Sequence, residues 1–352
     1  MAKYEIVDGV GILAEGVTEI GGSAFADCTS LTSVVIPSSV TEIGKNAFYG
    51  CASLTSIVIP KSVTKIEFGA FADCTSLTSV VIPEGVTRIE GRTFDGCTSL
   101  TSVVIPKGVT AIGNFAFSGC SSLTSIAIPS SVKEIGYHTF DSCSSLTNIV
   151  IPEGVTEIGS GAFADCTSLT SVLIPSSVTE VGKNVFSGCA SLTSIIVEEG
   201  NSVYDSREGC NAIIETVTNT LIAPCKSTII PLSVTEIRRN AFSYTSLTSI
   251  EIPSSVKMIG WDAFLNCTSL TSVSINGKIK KIDRGTFRGC TALESITLPT
   301  GVNKIEWDAF EGCTSIKVIN VPAKKYDYYY ERIPYPFNSL IVEMEPVKKA
   351  EE

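Results

Sequence analysis

Residues 54–76, LTSIVIPKSVTKIEFGAFADCTS, are one copy of a 23-residue unit that recurs along most of the chain. A period of roughly 20 to 30 residues with apolar positions at fixed offsets is typical of a solenoid, because one unit is too small to bury its own core and must stack on its neighbours. The copies start at Leu31, Leu54, Leu77, Leu100, Leu123, Leu146, Leu169 and Leu192, and then at Leu247, Leu270, Leu293 and Ile316.

The first seven positions of each unit predict a half-buried strand. In the copy that starts at Leu77, Val80 and Ile82 alternate with Ser79 and Val81, the period-two pattern of a strand with one buried face. A proline without an N–H ends each strand at the seventh position. We therefore expect one parallel sheet on the concave face. The prolines are Pro37, Pro60, Pro83, Pro106, Pro129, Pro152 and Pro175.

The second half of the unit supplies two columns of core side chains. Phe48 and Cys51 are spaced i and i+3, which predicts a helical turn on the convex face, and phenylalanine fills this position in twelve units from Phe25 to Phe310. Parallel Cα–Cβ vectors on stacked rungs do not reach the disulfide dihedral, so we expect a buried column of reduced thiols. Its members are Cys28, Cys51, Cys74, Cys97, Cys120, Cys143, Cys166, Cys189, Cys267, Cys290 and Cys313.

We expect one elongated domain in five segments. These are an N-terminal cap with a partial rung (1–30), seven regular repeats (31–191), an irregular region (192–246), three regular repeats (247–315), and a C-terminal cap with a tail (316–352). In the irregular region the runs 211–216 and 220–223 predict a projecting β-hairpin. The projection is either a plain loop extension or a part that contacts a ligand.

Both ends of a stack need caps. At the N-terminal end Tyr4, Ile6, Val10 and Ile12 are candidates to cover the first rung. At the other end we expect a helix over 323–333, a strand over 339–343 and a frayed tail over 346–352. Five tyrosines near this end serve the cap or bind a partner: Tyr326, Tyr328, Tyr329, Tyr330 and Tyr335.

Composition argues against several classes of function. A net charge of −10 and a pI near 4.8 disfavour a nucleic-acid or anionic-membrane partner. We expect no transmembrane segment, and residues 1–13 lack the apolar run of a signal peptide. With one histidine, His138, and cysteines arranged in a line, we expect no catalytic residues, no metal site and no cofactor.

One outward-facing column suggests a binding surface. Its fifth-position residues are aliphatic over nine rungs and then change to Glu251, Ser274, Thr297 and Asn320. A contiguous apolar stripe of this kind often marks a protein-binding surface, although β-branched residues also simply favour strands. The predicted binding residues are Val35, Val58, Val81, Val104, Ala127, Val150, Leu173, Ile196 and Ile229.

The unit resembles that of the BspA-like leucine-rich repeat proteins, Leu-x-x-Ile-x-Ile-Pro-x-x-Val-x-x-Ile-Gly-x-x-Ala-Phe-x-x-Cys. Residues 31–53 follow this pattern with Val34 at the first isoleucine position, and the likeness covers about residues 8–322. The resemblance implies a leucine-rich-repeat-like right-handed stack, a place at a bacterial surface or outside the cell, and adhesion to matrix proteins such as fibronectin and fibrinogen. It implies no shared active site.

The sequence is therefore compatible with two functions. The first is a surface or secreted module that binds an extended protein partner, such as a host matrix protein, on its concave stripe. The second is an intracellular scaffold or assembly protein, which the reduced cysteines and the lack of a visible leader would suit.

Overall fold

The computed structural model describes residues 4–345, so the tail predicted at 346–352 lies outside the described residues. The chain divides into two compact units. Unit 1 comprises the residues up to Ser191 together with Glu198–Asn201, and unit 2 comprises Leu192–Val197 and the residues from Ser202 onward. Each unit is a parallel-strand β-solenoid, which confirms the predicted repeat fold.

Unit 1 contains two rows of strands, and equivalent residues of neighbouring rungs pair directly. Val81 pairs with Val104 in the first row, and Glu134 pairs with Glu157 in the second. The first row comprises Val10–Leu13, Ser33–Val35, Ser79–Val81, Ser102–Val104 and Ser171–Ile174, with a single bridge between Ala127 and Val150. The second row comprises Glu19–Ile20, Glu42–Ile43, Lys65–Ile66, Arg88–Ile89, Ala111–Ile112, Glu134–Ile135, Glu157–Ile158 and Glu180–Val181.

The segment after each second-row strand is a series of turns, so the predicted helical turn is wrong. Asn46 has a left-handed φ of 55°, which interrupts any helix at this point. The backbone N–H of Phe48 donates across to Ala70 O of the next rung at 2.8 Å, while Tyr49 N–H donates within its own rung to Asn46 O. Amides therefore bond alternately between and within rungs, where a helix would bond every amide within the segment.

Phenylalanine and cysteine fill the core of unit 1 as predicted. The rings from Phe25 to Phe186 stack with centroids 5.2 to 5.8 Å apart. Each buried thiol donates to the carbonyl of the phenylalanine 26 residues earlier, as Cys51 Sγ does to Phe25 O at 3.0 Å. Burial raises the pKa of Cys51 to about 12 and that of Cys189 to about 12. These thiols therefore stay protonated at neutral pH.

The N-terminal cap of unit 1 is a hairpin of Tyr4–Val7 and Val10–Leu13. The Tyr4 ring lies 4.3 Å from the Phe25 ring and covers it, as predicted. Ile6 and Ile12 are exposed, so their predicted capping role is wrong. In the parallel pairing Gly11 lies opposite Val34 and faces the core, and this register turns Ile12 outward, level with Val35.

Unit 2 repeats the same plan. The described first-row strands are Ser194–Val197, Ser249–Ile252, Ser272–Ile275, Ser295–Thr297, Val318–Val321 and Ile341–Glu343. The second-row strands are Glu236–Ile237, Met258–Ile259, Lys281–Ile282 and Lys304–Ile305. The rings of Phe242, Phe264, Phe287 and Phe310 stack at 4.7 to 5.8 Å.

The insertion in unit 2 contains the predicted hairpin. Ala212–Glu215 and Thr220–Pro224 pair antiparallel, with the short strand Tyr204–Asp205 beside them and a 3-10 turn at Arg207–Gly209. Thr220–Pro224 is buried and pairs in parallel with Glu236–Ile237, so it acts as a further second-row strand. The prediction that the hairpin projects is therefore wrong, because its strands fold into the stack.

The C-terminal cap is shorter than predicted but has the predicted order of elements. The helix spans Tyr326–Tyr330, a 3-10 turn spans Phe337–Leu340, and the strand Ile341–Glu343 pairs in parallel with Val318–Val321. Tyr329 is fully buried and its hydroxyl donates to Pro299 O, which fixes the helix to the rung that starts at Leu293. Burial raises the pKa of Tyr329 to about 12.

Candidate functional site

The fifth-position side chains of unit 1 form a row of exposed aliphatic groups, hereafter the outward stripe. Strand alternation sends Val80 and Val103 into the core and turns Val81 and Val104 outward. Direct pairing of Val81 with Val104, and of Ala127 with Val150, places neighbouring members side by side. The large members are 51% to 80% exposed, and all seven are Val35, Val58, Val81, Val104, Ala127, Val150 and Leu173.

The structure adds Ile12 to the outward stripe. Ile12 pairs with Val35 and is 41% exposed. The apolar pattern predicts Ile12 in the cap, but Ile12 lies 23 residues before Val35, so the repeat register extended backward identifies it as a member of the outward stripe. The stripe of unit 1 therefore begins in the N-terminal hairpin.

The other two predicted binding residues belong to unit 2. Ile196 is 52% and Ile229 is 74% exposed, so both side chains are open to solvent. An open groove of about 380 Å³ is lined by Ile229, Leu232 and Glu251, among others. In unit 2, aliphatic side chains and a carboxylate therefore line the same groove.

A larger groove lies on the outward stripe of unit 1. It has a volume of about 720 Å³, and the side chains of Val58, Val81 and Val104 contribute to its wall together with Pro60 and Pro83. Lys61 and Glu84 also line it and supply one charge of each sign. The groove is therefore mainly aliphatic, with charged groups of opposite sign beside it.

Threonine hydroxyls hold the strands beside the stripe in register. Thr101 Oγ1 donates to Thr78 O at 3.0 Å, and Thr32 Oγ1 donates to Gly9 O at 3.0 Å. Because these donors are engaged between rungs, they stiffen the edge of the face. Rigid side chains lose little conformational entropy when a partner covers them.

From Glu251 to Asn320, the equivalent outward positions in unit 2 are polar. Glu251, Ser274, Thr297 and Asn320 pair rung by rung in the first row. Asn276 Nδ2 donates to Glu251 Oε1 at 2.7 Å, and Asn320 Nδ2 approaches Thr297 Oγ1 at 3.4 Å. These hydrogen bonds engage the side chains of Glu251, Thr297 and Asn320, and the positions from Glu251 to Asn320 present no aliphatic row.

Titratable groups lie mainly in ordinary pairs on the second row. Lys65 Nζ contacts Glu42 at 2.7 Å and Glu67 at 2.6 Å, so this lysine pairs with a carboxylate of the preceding rung and with one of its own rung. Further along, burial and then the neighbouring glutamates raise the pKa of Glu157. His138 Nδ1 lies 3.2 Å from Asp141 Oδ2, and its ring stacks on Phe115.

The part of the chain that the structure describes contains neither a metal-binding cluster nor a membrane-spanning helix. Among residues 4–345, no group of three or more His, Cys, Asp or Glu side chains converges on a possible metal position. Within the same residues, no helix has the length and apolar content needed to cross a bilayer.

The stacked rungs with a leucine, a phenylalanine and a cysteine at fixed inward positions define a leucine-rich-repeat type of solenoid. A family model described as a BspA type leucine rich repeat region matches residues 11–112, 87–210 and 221–331. The chain therefore belongs to the BspA-type leucine-rich repeat family. No significant match was found among curated proteins.

Solved bacterial structures share the fold over nearly the whole chain. A leucine rich cell surface protein from Faecalibacterium prausnitzii A2-165 is 31% identical, with coverage of 92% of this chain and 88% of that one, at a TM-score of 0.66. A leucine-rich repeat protein from Bacteroides ovatus ATCC 8483 is also 31% identical, with coverage of 95% and 83%, at a TM-score of 0.66. The pneumococcal vaccine antigen PcpA, 18% identical with coverage of 97% and 95% and a TM-score of 0.51, is similar in fold alone.

Proposed function

We propose that this protein is a non-enzymatic, adhesin-like binding module of a bacterial surface, and that it engages a host matrix protein such as fibronectin or fibrinogen. The observation that carries the proposal is the outward stripe of unit 1. Isolated exposed aliphatic residues are ordinary, whereas a row on adjacent rungs forms a contiguous apolar patch, and such patches occur at protein-binding surfaces.

The dimensions of the stripe favour an extended partner. Eight members from Ile12 to Leu173 at one-rung spacing would extend over roughly 34 Å. The groove at Val58, Val81 and Val104 would accept the aliphatic side chains of such a segment. Lys61 and Glu84 would then contact polar groups at the margin and favour one orientation of the partner.

A surface location is supported by the similar protein from F. prausnitzii, whose description is that of a cell surface protein. The intracellular scaffold remains the second candidate because the thiols are free. Their burial shields them from oxidants in any compartment, so free thiols are compatible with both locations. Fractionation of cells that express the untruncated gene product separates the two, since a wholly cytosolic pool is incompatible with an adhesin.

The function is tested by surface plasmon resonance of the purified chain over immobilised fibronectin and fibrinogen. The stripe variant carries Val81→Lys, Val104→Lys and Val150→Lys. All three positions are exposed, so the lysine side chains can stay in solvent and the chain can fold. We expect saturable binding by the unaltered chain and a loss of roughly 100-fold or more in the stripe variant, because lysine ammonium groups would have to be desolvated at the interface.

A matched control carries Thr87→Lys, Thr110→Lys and Thr156→Lys, which add the same charge at exposed positions beside the second row. It is expected to bind like the unaltered chain. An equal loss of affinity in both variants would indicate that added positive charge weakens binding wherever it is placed, and not that the outward stripe is the binding site. If a folded stripe variant keeps full affinity, the site is wrong, and if the unaltered chain binds neither protein, the matrix target is wrong.

A further inference from the structure

An outer column of unit 2 alternates arginine and tryptophan. Arg239, Trp261, Arg284 and Trp307 each lie two residues after a second-row strand, so they occupy the same position of four rungs. The backbone connects the rungs at this point, since Asp262 N–H donates to Arg284 O at 3.1 Å. The guanidinium carbon of Arg239 lies 5.6 Å from the Trp261 ring centroid, and that of Arg284 lies 5.8 Å from the Trp307 centroid.

The two indole rings are open to solvent. Trp261 is 50% and Trp307 is 66% exposed, and they are the two tryptophans of the whole chain. A tryptophan that serves the core would be mostly covered, because burying its large apolar surface is what stabilises a fold. These rings instead leave apolar surface available to a ligand.

Charged groups surround the rings in fixed positions. Asp308 is almost fully buried and its Oδ2 lies 3.5 Å from Arg284 Nε and 3.9 Å from Arg288. Arg288 also donates to Asp262 Oδ1 at 3.2 Å. Within the described residues, the other oxygen of Asp308, Oδ1, accepts no hydrogen bond. A guanidinium carries five N–H donors, more than these carboxylate contacts use.

This combination matches the chemistry of a sugar. A pyranose ring has an apolar C–H face that packs on an indole, and hydroxyls that both accept from guanidinium N–H groups and donate to carboxylate oxygens. The carboxylates of Asp262, Asp308 and Glu311 balance the arginines, so a polyanion gains no net attraction. Trp261 and Trp307 lie two rungs apart, about 10 Å, which is close to the length of two linked pyranose rings.

We propose that Trp261, Arg284 and Trp307 form a binding site for a neutral glycan chain, separate from the outward stripe of unit 1. Sugar rings pack on the indoles, and the arginines donate to the hydroxyls between them. This site does not depend on the matrix-binding proposal, because its residues are in unit 2 and its ligand is a carbohydrate.

Both tryptophans of the chain lie at the site, so intrinsic fluorescence reports on it directly. The full chain is titrated with cellohexaose, laminarihexaose, mannohexaose and maltohexaose, and with a heparin hexasaccharide as the charged probe. We expect a saturable fluorescence change with at least one neutral hexasaccharide. Calorimetry on Trp261→Ala and on Trp307→Ala should then show affinity lowered by roughly tenfold in each.

Arg284→Gln keeps both rings and is expected to weaken binding as well, which covers the case of a tryptophan variant that fails to fold. The matched controls, Phe68→Ala and Tyr137→Ala, remove exposed aromatic rings from the same repeat position in unit 1 and should bind normally. The proposal is overturned if no neutral hexasaccharide binds, if only the heparin hexasaccharide binds, or if affinity is unchanged in folded Trp261→Ala and Trp307→Ala.

Discussion

Val81 in unit 1 and Glu251 in unit 2 occupy the same position of their rungs, and each follows a buried aliphatic residue, Val80 or Ile250. The inward residues of the two units are nearly interchangeable, because every rung must fill the same core with a leucine, a phenylalanine and in most cases a cysteine. The outward residues carry no such constraint. The difference between Val81 and Glu251 therefore affects what each exposed face can bind and does not affect how each unit folds.

The largest expected effect is on the shared interior. Phe117→Ala in unit 1 and Phe287→Ala in unit 2 each remove a fully buried ring stacked between two others. We expect both to lower the free energy of unfolding by about 3–5 kcal/mol. Urea unfolding measures the change in the free energy of unfolding, and hydrogen exchange shows which unit is destabilised. A cost confined to one unit would contradict the view that the interiors are equivalent.

A smaller effect is expected when the faces are exchanged. Val81→Glu, Val104→Ser and Val150→Thr give the stripe of unit 1 the residue types found outward in unit 2. We expect binding to fibronectin or fibrinogen to fall roughly 30-fold, because the apolar contact is lost, while the free energy of unfolding changes by less than about 1 kcal/mol.

The reverse exchange is the control for this variant. Glu251→Val, Ser274→Val and Thr297→Val make the face of unit 2 aliphatic and should leave both stability and matrix binding nearly unchanged. Plasmon resonance and urea unfolding report on both variants. A large loss of stability in either exchange would show that the outward residues are structural after all.

The smallest effect concerns the buried thiols at alkaline pH. Burial raises the pKa of Cys189 from 9.0 to about 12, so this thiol stabilises the fold fully below pH 9. Above pH 9 the unfolded chain loses the proton first, and stability is lost as the pH rises toward 12. At pH 10 we expect Cys189 to account for about 1.4 kcal/mol of the loss.

Urea unfolding at pH 7 and pH 10 tests this expectation. The free energy of unfolding should decrease less between the two pH values in Cys189→Ala than in the unaltered chain. In unit 2, burial raises the pKa of Cys210 to about 11. The free energy of unfolding of Cys210→Ala should therefore also decrease less between pH 7 and pH 10 than that of the unaltered chain. An identical decrease in the unaltered chain and in both variants would show that neither Cys189 nor Cys210 contributes to the loss of stability at alkaline pH.

The interior of the molecule was predictable because the repeat shows the same residue type at the same offset many times. The register and the phenylalanine and thiol columns follow from that repetition, whereas the hairpin at 212–224 was predicted from the two runs 211–216 and 220–223 in the irregular region.

The turns after each second-row strand were missed, although their left-handed residues recur at the same repeat position, as at Gly50, Asp73 and Gly96. The i and i+3 spacing of Phe48 and Cys51 suits a helical turn as well, and the hydrogen bonds between rungs that decide against a helix are not visible in the sequence. The exposure of the stripe was also predictable, whereas its partner was not, because outward residues vary without changing the fold.

The pairing of equivalent residues has an evolutionary consequence. Because Val81 pairs with Val104 and Glu134 pairs with Glu157, each at an offset of 23, removing or adding one whole unit of 23 residues within 31–191 keeps the same strand register between the new neighbours. Unequal recombination between the similar coding segments would therefore lengthen or shorten unit 1 by complete rungs. The length of the exposed aliphatic row would change with it, so a lineage could adjust its reach without redesigning the core.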